Sequence, residues 1–237
     1  MKLLFVAADR MEFAGPLARA AESGVTRLGG NEILLVANGI GRKRSAAAVD
    51  AALAIAEPLA DARGSVRSHD RKGVFHPDAV ISMGFCGALD ERLEIADVVV
   101  GTAIVGSAVA CATFHHSGAA EGPICSIDHV ARTAEEKRRL RASGAIAVEM
   151  EAAGVAQRAQ AFNLPFYCVK AVTDLAGETM ANDFNAALRS DGHFGTIRIL
   201  TGTLRHPAVR IPELIRLRNR CVRAARVLGE FIADSRF

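Results

Sequence analysis

The 237-residue chain contains no tryptophan, one tyrosine and only 5% aromatic residues, although half of its residues are hydrophobic. A core without large rings must be built from Ala, Val, Leu and Ile, which is typical of an α/β sandwich or barrel. The length lies within the range of single α/β domains. We therefore expect one α/β domain over residues 1–237.

Strong charge and long apolar runs are also missing. The formal net charge of +3 is too small to indicate a nucleic-acid partner, so the composition favours a small-molecule protein. No run approaches the roughly 20 apolar residues that span a bilayer. The first apolar run meets Asp9 and Arg10 too early for the core of a signal peptide. We expect a soluble protein without an integral membrane segment.

Cysteine is present without a pattern. The five cysteines are odd in number and form no CxxC pair, which argues against a disulfide framework or a zinc site. We therefore expect a reducing cytoplasm, no metal and no cofactor.

Short apolar runs alternate with alanine-rich segments of helical spacing. Strands are predicted at Leu3–Ala8, Glu32–Ala37, Ala79–Met83, Val98–Val105 and Phe166–Val172. Helices are predicted at Phe13–Ser23, Ser45–Leu59 and Met150–Phe162. This alternation favours a largely parallel or mixed sheet with helices packed against it.

Two segments differ from this pattern. Residues 60–78 are polar and charged, which indicates a solvated loop. A C-terminal amphipathic helix is predicted at about 211–235, with an apolar face formed by Leu214, Leu217, Cys221, Ala224, Leu228 and Phe231. That face either docks on the body of the domain, which we expect, or lies on a membrane surface.

Glycines follow two of the predicted strands. Asn38–Gly41 could bring backbone N–H groups to an anion or form only a tight turn, and Arg44 breaks the GxGxxG fingerprint of a nicotinamide-binding protein. Met83–Ala88 is predicted as a loop at a strand end, where ligands of open α/β sheets bind.

Cys86 lies within this predicted loop. It is either a nucleophile with His115 or His116 as base, or a small buried side chain. We interpret both histidines as surface residues.

Acidic residues stand out in two apolar stretches. Glu149 and Glu151 lie within AIAVEMEAAGVAQ, and Thr173–Asp174 closes a predicted strand. Acids are seldom buried without a partner, because leaving water costs them several kcal/mol. Residues at i and i+2 do not share a helix face, so we expect the two glutamates to have different partners. Asp174 either caps the next helix or is catalytic.

The order of MEF, GIG, GFCGAL, VEMEAAGVA and VKAVTD resembles the purine nucleoside phosphorylase/uridine phosphorylase superfamily. Within it, the chain is most similar to methylthioadenosine/S-adenosylhomocysteine nucleosidases, over roughly residues 1–190. The resemblance implies a three-layer α/β/α domain with a twisted, mixed central sheet. It also implies cleavage of the N-glycosidic bond of a purine nucleoside. We expect a homodimer or a higher homo-oligomer.

The resemblance also implies roles for individual residues. Asp174 would protonate the purine with help from Thr173, and Glu12 would activate water. Glu151 would bind the ribose hydroxyls, and Glu149 would have a secondary role. The residues lining the sugar and base would be Met150, Phe85, Cys86 and Gly87.

Several departures from the family pattern leave alternatives open. Phe85 replaces a family serine, and SIDHVA, at 126–131, lacks the aromatic residue that stacks on adenine. A phosphorylase would use phosphate as co-substrate, held near Gly41 and Arg42. The arginine-rich C-terminal helix allows a lipid-linked nucleoside of the hopanoid-associated type. Two further alternatives are a protein that binds nucleosides without turning them over and a thiol enzyme that uses Cys86.

Overall fold

An eight-stranded mixed sheet forms the centre of the fold. The computed structural model describes residues 1–15, 17–18, 25–54, 75–107, 109–112, 114, 116, 118–189 and 191–237. The strands are β1 Lys2–Ala7, β2 Val25–Leu28, β3 Asn31–Ala37, β4 Ala79–Ala88, β5 Val98–Val105, β6 Ala119–Ser126, β7 Ala147–Glu149 and β8 Phe166–Asp174. The helices are α1 Arg42–Ala54, α2 Ala134–Arg141, α3 Ala152–Ala161, α4 Phe184–Ala187, α5 Thr196–Thr203 and α6 Pro207–Asp234, and a 3₁₀ turn covers Arg10–Glu12.

The sheet is open at one end and closed at the other. Its strand order is β2-β3-β1-β4-β7-β6-β5-β8, and β4 pairs with β8 as well. Strands β4, β7, β6, β5 and β8 therefore form a closed ring, to which β1, β3 and β2 are added as an extension. Strand β1 is parallel to β3 and β4, whereas β7 is antiparallel to β4. The predicted mixed sheet is confirmed.

Alternating side chains of β1 divide the core into two layers. Leu4 and Val6 belong to an apolar cluster that includes buried residues of α1 and α3. Leu3 and Phe5 belong to a second cluster that includes the C-terminal half of α6. Because successive side chains of a strand point to opposite faces, helices cover both faces of the sheet. The predicted three-layer α/β/α arrangement is confirmed.

The end of β4 corrects one prediction. Residues 84–88 do not form a loop, because Phe85 pairs with Ala171 of β8 and Ala88 pairs with Ala147 of β7. The glycines there had indicated a loop, yet the backbone stays paired with β8 as far as Gly87 and then with β7 at Gly87 and Ala88. The predicted helix Met150–Phe162 also begins later, at Ala152, and is preceded by the unpredicted strand β7.

Some predicted elements lie outside the described residues. Most of the predicted helix Phe13–Ser23 falls there, as do the end of Ser45–Leu59 and residues 60–74 of the predicted loop.

The C-terminal helix starts earlier than predicted and belongs to the core. It covers Pro207–Asp234, and Ala224, Leu228 and Phe231 in its second half are buried in the layer next to β1. The expectation that its apolar face docks on the domain is confirmed for this half. No helix in the described part of the chain is long and apolar enough to cross a membrane.

Shortening Leu228 should destabilise the protein. Its side chain is fully buried, so Leu228→Ala leaves a cavity that costs about 2–5 kcal/mol in the free energy of unfolding. Val222 of the same helix is 56% exposed, and Val222→Ala should change that energy by less than about 0.5 kcal/mol. Urea unfolding of the three proteins checks this, and equal losses in both variants would contradict the packing described.

Candidate functional site

A cavity of about 210 Å³ lies where β1, β4, β7 and β8 end and α3 begins. It brings together residues that are far apart in the chain, from Ala8 to Cys221. The predicted site residues that line it are Glu12, Phe85, Cys86, Gly87, Glu149, Met150, Glu151, Thr173 and Asp174. The four carboxylates therefore share one largely apolar chamber.

A buried lysine of β8 connects two of these acids. Lys170 Nζ lies 2.9 Å from Glu149 Oε2 and 3.7 Å from Glu151 Oε2, and it donates a hydrogen bond to the Met83 carbonyl. The lysine side chain is fully buried. Burial opposes its charge, but the two glutamates outweigh burial and raise the pKa of Lys170 above its usual range. The expectation that Glu149 and Glu151 have different partners is wrong, because they flank a strand–helix junction rather than sharing a helix.

Glu149 holds the start of α3 as well as Lys170. Its Oε2 accepts the backbone N–H groups of Glu151 and Ala152, at 2.9 and 2.8 Å. A carboxylate at a helix N-terminus satisfies free N–H groups and interacts favourably with the helix dipole. Its Oε1 is buried and has no hydrogen-bond partner among the described residues. Glu149 thus positions the backbone of Glu151 and retains one free acceptor.

Glu151 is held from the opposite side by α1 and the turn before it. Its Oε1 accepts the N–H of Gly41 at 3.1 Å, and its carbonyl accepts the Ser45 hydroxyl at 2.9 Å. Burial raises the pKa of Glu151, and Lys170 partly offsets this. The GIG turn therefore contacts a carboxylate of the protein.

Glu12 ends the 3₁₀ turn that follows β1. Its Oε2 accepts the N–H of Ala8 at 2.8 Å, and Asp9 accepts the N–H of Met11. Burial, and then repulsion from Glu151, raise the pKa of Glu12 to about 8. The raised pKa favours the protonated form of Glu12 near neutral pH.

Asp174 pairs with a second buried lysine. Lys137 of α2 is fully buried and donates to Asp174 Oδ2 and, at 2.7 Å, to the Leu175 carbonyl. The Thr173 hydroxyl lies 3.2 Å from Asp174 Oδ1 and 3.3 Å from the Cys86 carbonyl, so it can donate to either. Burial raises the pKa of Asp174, although the charge of Lys137 opposes the shift.

Two glycines of β4 make room for the carboxylates. At Gly84, φ is +131°, and a Cβ atom would lie 2.6 Å from Glu12 Oε2. At Gly87, a Cβ atom would lie 2.7 Å from Asp174 Oδ2. The glycines of GFCGAL thus let two acidic side chains lie against the strand.

Cys86 and the histidines do not form a thiol–base pair in the described residues. Cys86 is buried, and burial raises the pKa of its thiol well above the usual range, which disfavours the nucleophilic thiolate. His116 is half-buried, with its ring 4.2 Å from that of Phe231, so it lies only partly at the surface. His115 lies outside the described residues.

The two residues considered for phosphate do not line the cavity. The N–H of Gly41 is bonded to Glu151, and the exposed Arg42 side chain donates to Gln157 Oε1 at 3.3 Å.

Sequence reasoning missed both lysines and one wall of the cavity. Lys170 had a signal, since it is the only charged residue of the strand sequence FYCVKAVTD apart from the terminal Asp174. Lys137 had none, because it lies in AEEKRRLR among other charged residues. The unpredicted lining residues include His129, Met180, Phe184, Phe194, Leu217 and Cys221.

Comparison with known proteins adds a family match. Residues 19–129 and 115–193 match the sequence model of the phosphorylase superfamily. The 5'-methylthioadenosine/S-adenosylhomocysteine nucleosidase of Staphylococcus aureus (strain JH9) is 31% identical over 146 residues. This match spans 48% of the chain and 64% of that nucleosidase, which is less than two thirds of its length.

Solved structures share the fold at low sequence identity. The futalosine hydrolase of Helicobacter pylori strain 26695 superposes with a TM-score of 0.61 at 19% identity, covering 98% of this chain and 95% of that one. The MTA/SAH nucleosidase of Streptococcus pneumoniae, in complex with 8-aminoadenine, gives a TM-score of 0.63 at 20% identity, covering 98% and 97%.

Removing the charge of Lys170 should destabilise the protein in a pH-dependent way. Lys170→Met leaves two buried carboxylates without their cation, and breaking a buried ion pair typically costs about 3–5 kcal/mol. Burial already raises the pKa of Glu151, and without the cation that offsets this shift its pKa in the folded state should rise further above its value in the unfolded state. The folded state then binds more protons, so the loss of stability should grow as the pH rises from about 4.5.

Urea unfolding between pH 5 and pH 8 measures this effect. The double variant Lys170→Met/Glu149→Gln should recover part of the lost stability, because one uncompensated charge is removed. A loss that is independent of pH and unaffected by Glu149→Gln would contradict the ion-pair interpretation.

Proposed function

Because the chain belongs to the phosphorylase superfamily, we propose that it cleaves the N-glycosidic bond of a purine nucleoside by hydrolysis. The observation that carries this proposal is the convergence of Glu12, Glu151 and Asp174 on one largely apolar cavity. Two of these acids have a charged partner or neighbour in Lys137 or Lys170, and Glu12 is buried with a raised pKa. Such an arrangement suits a reaction that needs acid, base and charge stabilisation together.

Asp174 is the proposed acid for the leaving base. Cleavage places negative charge on the departing purine, and proton donation by a carboxyl group relieves it. Burial raises the pKa of Asp174, which favours the protonated form needed for donation. After the proton has left, Lys137 stabilises the carboxylate through its contact with Oδ2.

Glu151 is the proposed contact for the sugar. Positive charge develops on the ribose as the bond breaks, and a fixed carboxylate stabilises that charge electrostatically. Glu151 Oε1 is held by Gly41 and Oε2 faces Lys170, so its position is set before substrate arrives. Met150 lines the same cavity and offers an apolar surface to the ring.

Glu12 is the proposed base for water. Four carboxylates line the cavity. The ionised ones among them would repel a phosphate ion that entered the cavity as the nucleophile. The nearby lysines are engaged with Glu149, Glu151 and Asp174, while Arg42 is directed towards Gln157. These contacts favour hydrolysis over phosphorolysis.

The rival functions have less support. A protein that only binds nucleosides has no need for an acid placed for the leaving base. A thiol enzyme would need an ionisable nucleophile, whereas burial keeps Cys86 protonated.

The apolar wall of the cavity bears on the substrate. Met180, Phe184 and Phe194 lie there, and the two phenylalanine rings are 5.8 Å apart. These side chains suit a purine ring or an apolar 5′ substituent. Leu217 on α6 also lines the cavity, while Ile215 of the same helix is exposed. This supports a second candidate substrate, a lipid-linked nucleoside of the hopanoid-associated type.

Release of free base from a panel of purine nucleosides tests the reaction. We expect release without phosphate, and Asp174→Asn should slow it about 10²–10⁴-fold because the proton donor is lost. The matched control Asp50→Asn changes an α1 residue that pairs with Arg158 on the surface and should retain activity. Strict dependence on phosphate would establish a phosphorylase, and no release from any nucleoside would favour the binding protein.

The pH profile should report Glu12. A general base must be ionised, and the pKa of Glu12 is raised to about 8, so kcat/KM should rise with pH through a midpoint near pH 8 and level off above it. Glu12→Gln should remove this rise and lower the rate about 10²–10⁴-fold. A rise centred near pH 4.5, the ordinary value for glutamate, would contradict the assignment.

A further inference from the structure

Exposed apolar side chains are concentrated in one segment of the chain, Thr196–Arg223, named here the α5–α6 surface. Outside this segment, the large hydrophobic residues that are exposed in the described part of the chain are Met1, Met11 and Phe162. Those within it are Ile197, Leu200, Leu204, Val209, Ile211, Ile215 and Val222.

These residues recur at helical spacing. Ile197, Leu200 and Leu204 follow one another at three and four residues, and the first and last are 77% and 67% exposed. On α6, Ile211, Ile215 and Val222 fall on one stripe, separated by four and seven residues. Both helices therefore direct an apolar stripe outward, and exposed apolar surface of this extent is typical of interaction sites.

The same segment carries a strong positive charge. Residues 196–223 contain seven arginines and one acid, a formal charge of +6 in a chain whose total is +3. The acid, Glu213, is buried and accepts the N–H groups of Ala181 and Asn182. Four exposed arginines have no carboxylate partner among the described residues, namely Arg198, Arg205, Arg218 and Arg223.

Some of these arginines surround a second cavity. This cavity measures about 300 Å³ and is lined by Arg198, Arg205 and Arg210. Arg210 donates to the Gly202 carbonyl, and the neighbouring acid, Asp183, is paired with Arg132. The cavity thus presents an excess of guanidinium groups, the side chain best suited to bind phosphate oxygens.

We propose that the α5–α6 surface docks on an anionic phospholipid bilayer. Its apolar residues would enter the boundary between headgroups and acyl chains, while its arginines bind lipid phosphates. A second copy of this surface is a poor partner, because a two-fold contact would place the unpaired arginines of one protomer against those of the other. An anionic bilayer has negative headgroups for the arginines and an apolar interior for the exposed hydrophobic side chains.

Docking would also bring the cavity that contains Glu12, Glu151 and Asp174 close to the membrane. Leu217 and Cys221 line that cavity from the same helix that exposes Ile215 and Val222 to solvent. A nucleoside carrying a lipid chain could then reach the carboxylates while its chain stays in the bilayer. This last consequence rests on the proposed function, whereas membrane binding itself does not.

Co-sedimentation of the full chain with vesicles tests the proposal. We expect binding to vesicles of phosphatidylcholine mixed with phosphatidylglycerol, and much weaker binding to phosphatidylcholine alone. Raising the salt concentration should weaken binding, because it screens the attraction between arginines and the surface. Inorganic phosphate at matched ionic strength should not compete more than chloride does, since a single phosphate replaces only part of the surface.

Two variants identify the surface. Leu204→Ser/Ile215→Ser should abolish most of the binding, whereas Phe162→Ser removes an exposed apolar residue elsewhere and should not. Arg218→Gln/Arg223→Gln should weaken binding about fivefold per arginine, which corresponds to about 1 kcal/mol for each basic residue at an anionic surface.

Several results would overturn the proposal. They are no binding to the anionic vesicles, binding unaffected by either double variant, and light scattering that shows a dimer dissociated by Leu204→Ser/Ile215→Ser. Unfolding midpoints and base release from a water-soluble nucleoside confirm that the variants are folded. Because sedimentation needs no turnover, its failure would leave the proposed reaction untouched, and the reverse also holds.

Discussion

The site depends on the buried contact between Lys170 and the two glutamates that flank it. An ionised side chain leaves water only at a cost of several kcal/mol, and the contacts of Lys170 with the two acids offset part of that cost. The lysine lies on β8 between β4 and β5, which holds its backbone on both sides. Glu149 transfers this constraint to the start of α3, where Glu151 stands.

Around this contact, the chamber gives chemically similar acids different properties. Glu12 has no lysine within ion-pair distance among the described residues, and its pKa rises to about 8. Asp174 is also buried, but Lys137 contacts one of its oxygens. Glu149 uses one oxygen for the helix and the lysine, which makes it part of the framework. The same side-chain chemistry thus suits the proposed roles of base and acid, or a supporting role, according to its nearest charge.

Part of the fold followed from local patterns. Five predicted strands recur because short β-branched and apolar runs favour strands in a sheet that helices cover. Strand β7 could not be seen, since its three residues form a strand only by pairing with β4 and β6. The continuation of β4 beyond Met83 was missed for a related reason: its glycines indicate a turn locally, yet they are needed where carboxylates approach the backbone.

The sequence by itself determined the residue types of the site, since the motifs MEF, GFCGAL, VEMEAAGVA and VKAVTD already contain its four carboxylates and the glycines of β4. Only the tertiary structure decided which charges meet. Lys137 and Asp174 are separated by 37 residues, and Gly41 and Glu151 by 110. The partner of a buried charge is set by strand pairing and helix packing, which bring distant segments together. Local sequence patterns indicate that a residue is buried. They carry no information about which residue from a distant segment contacts its side chain.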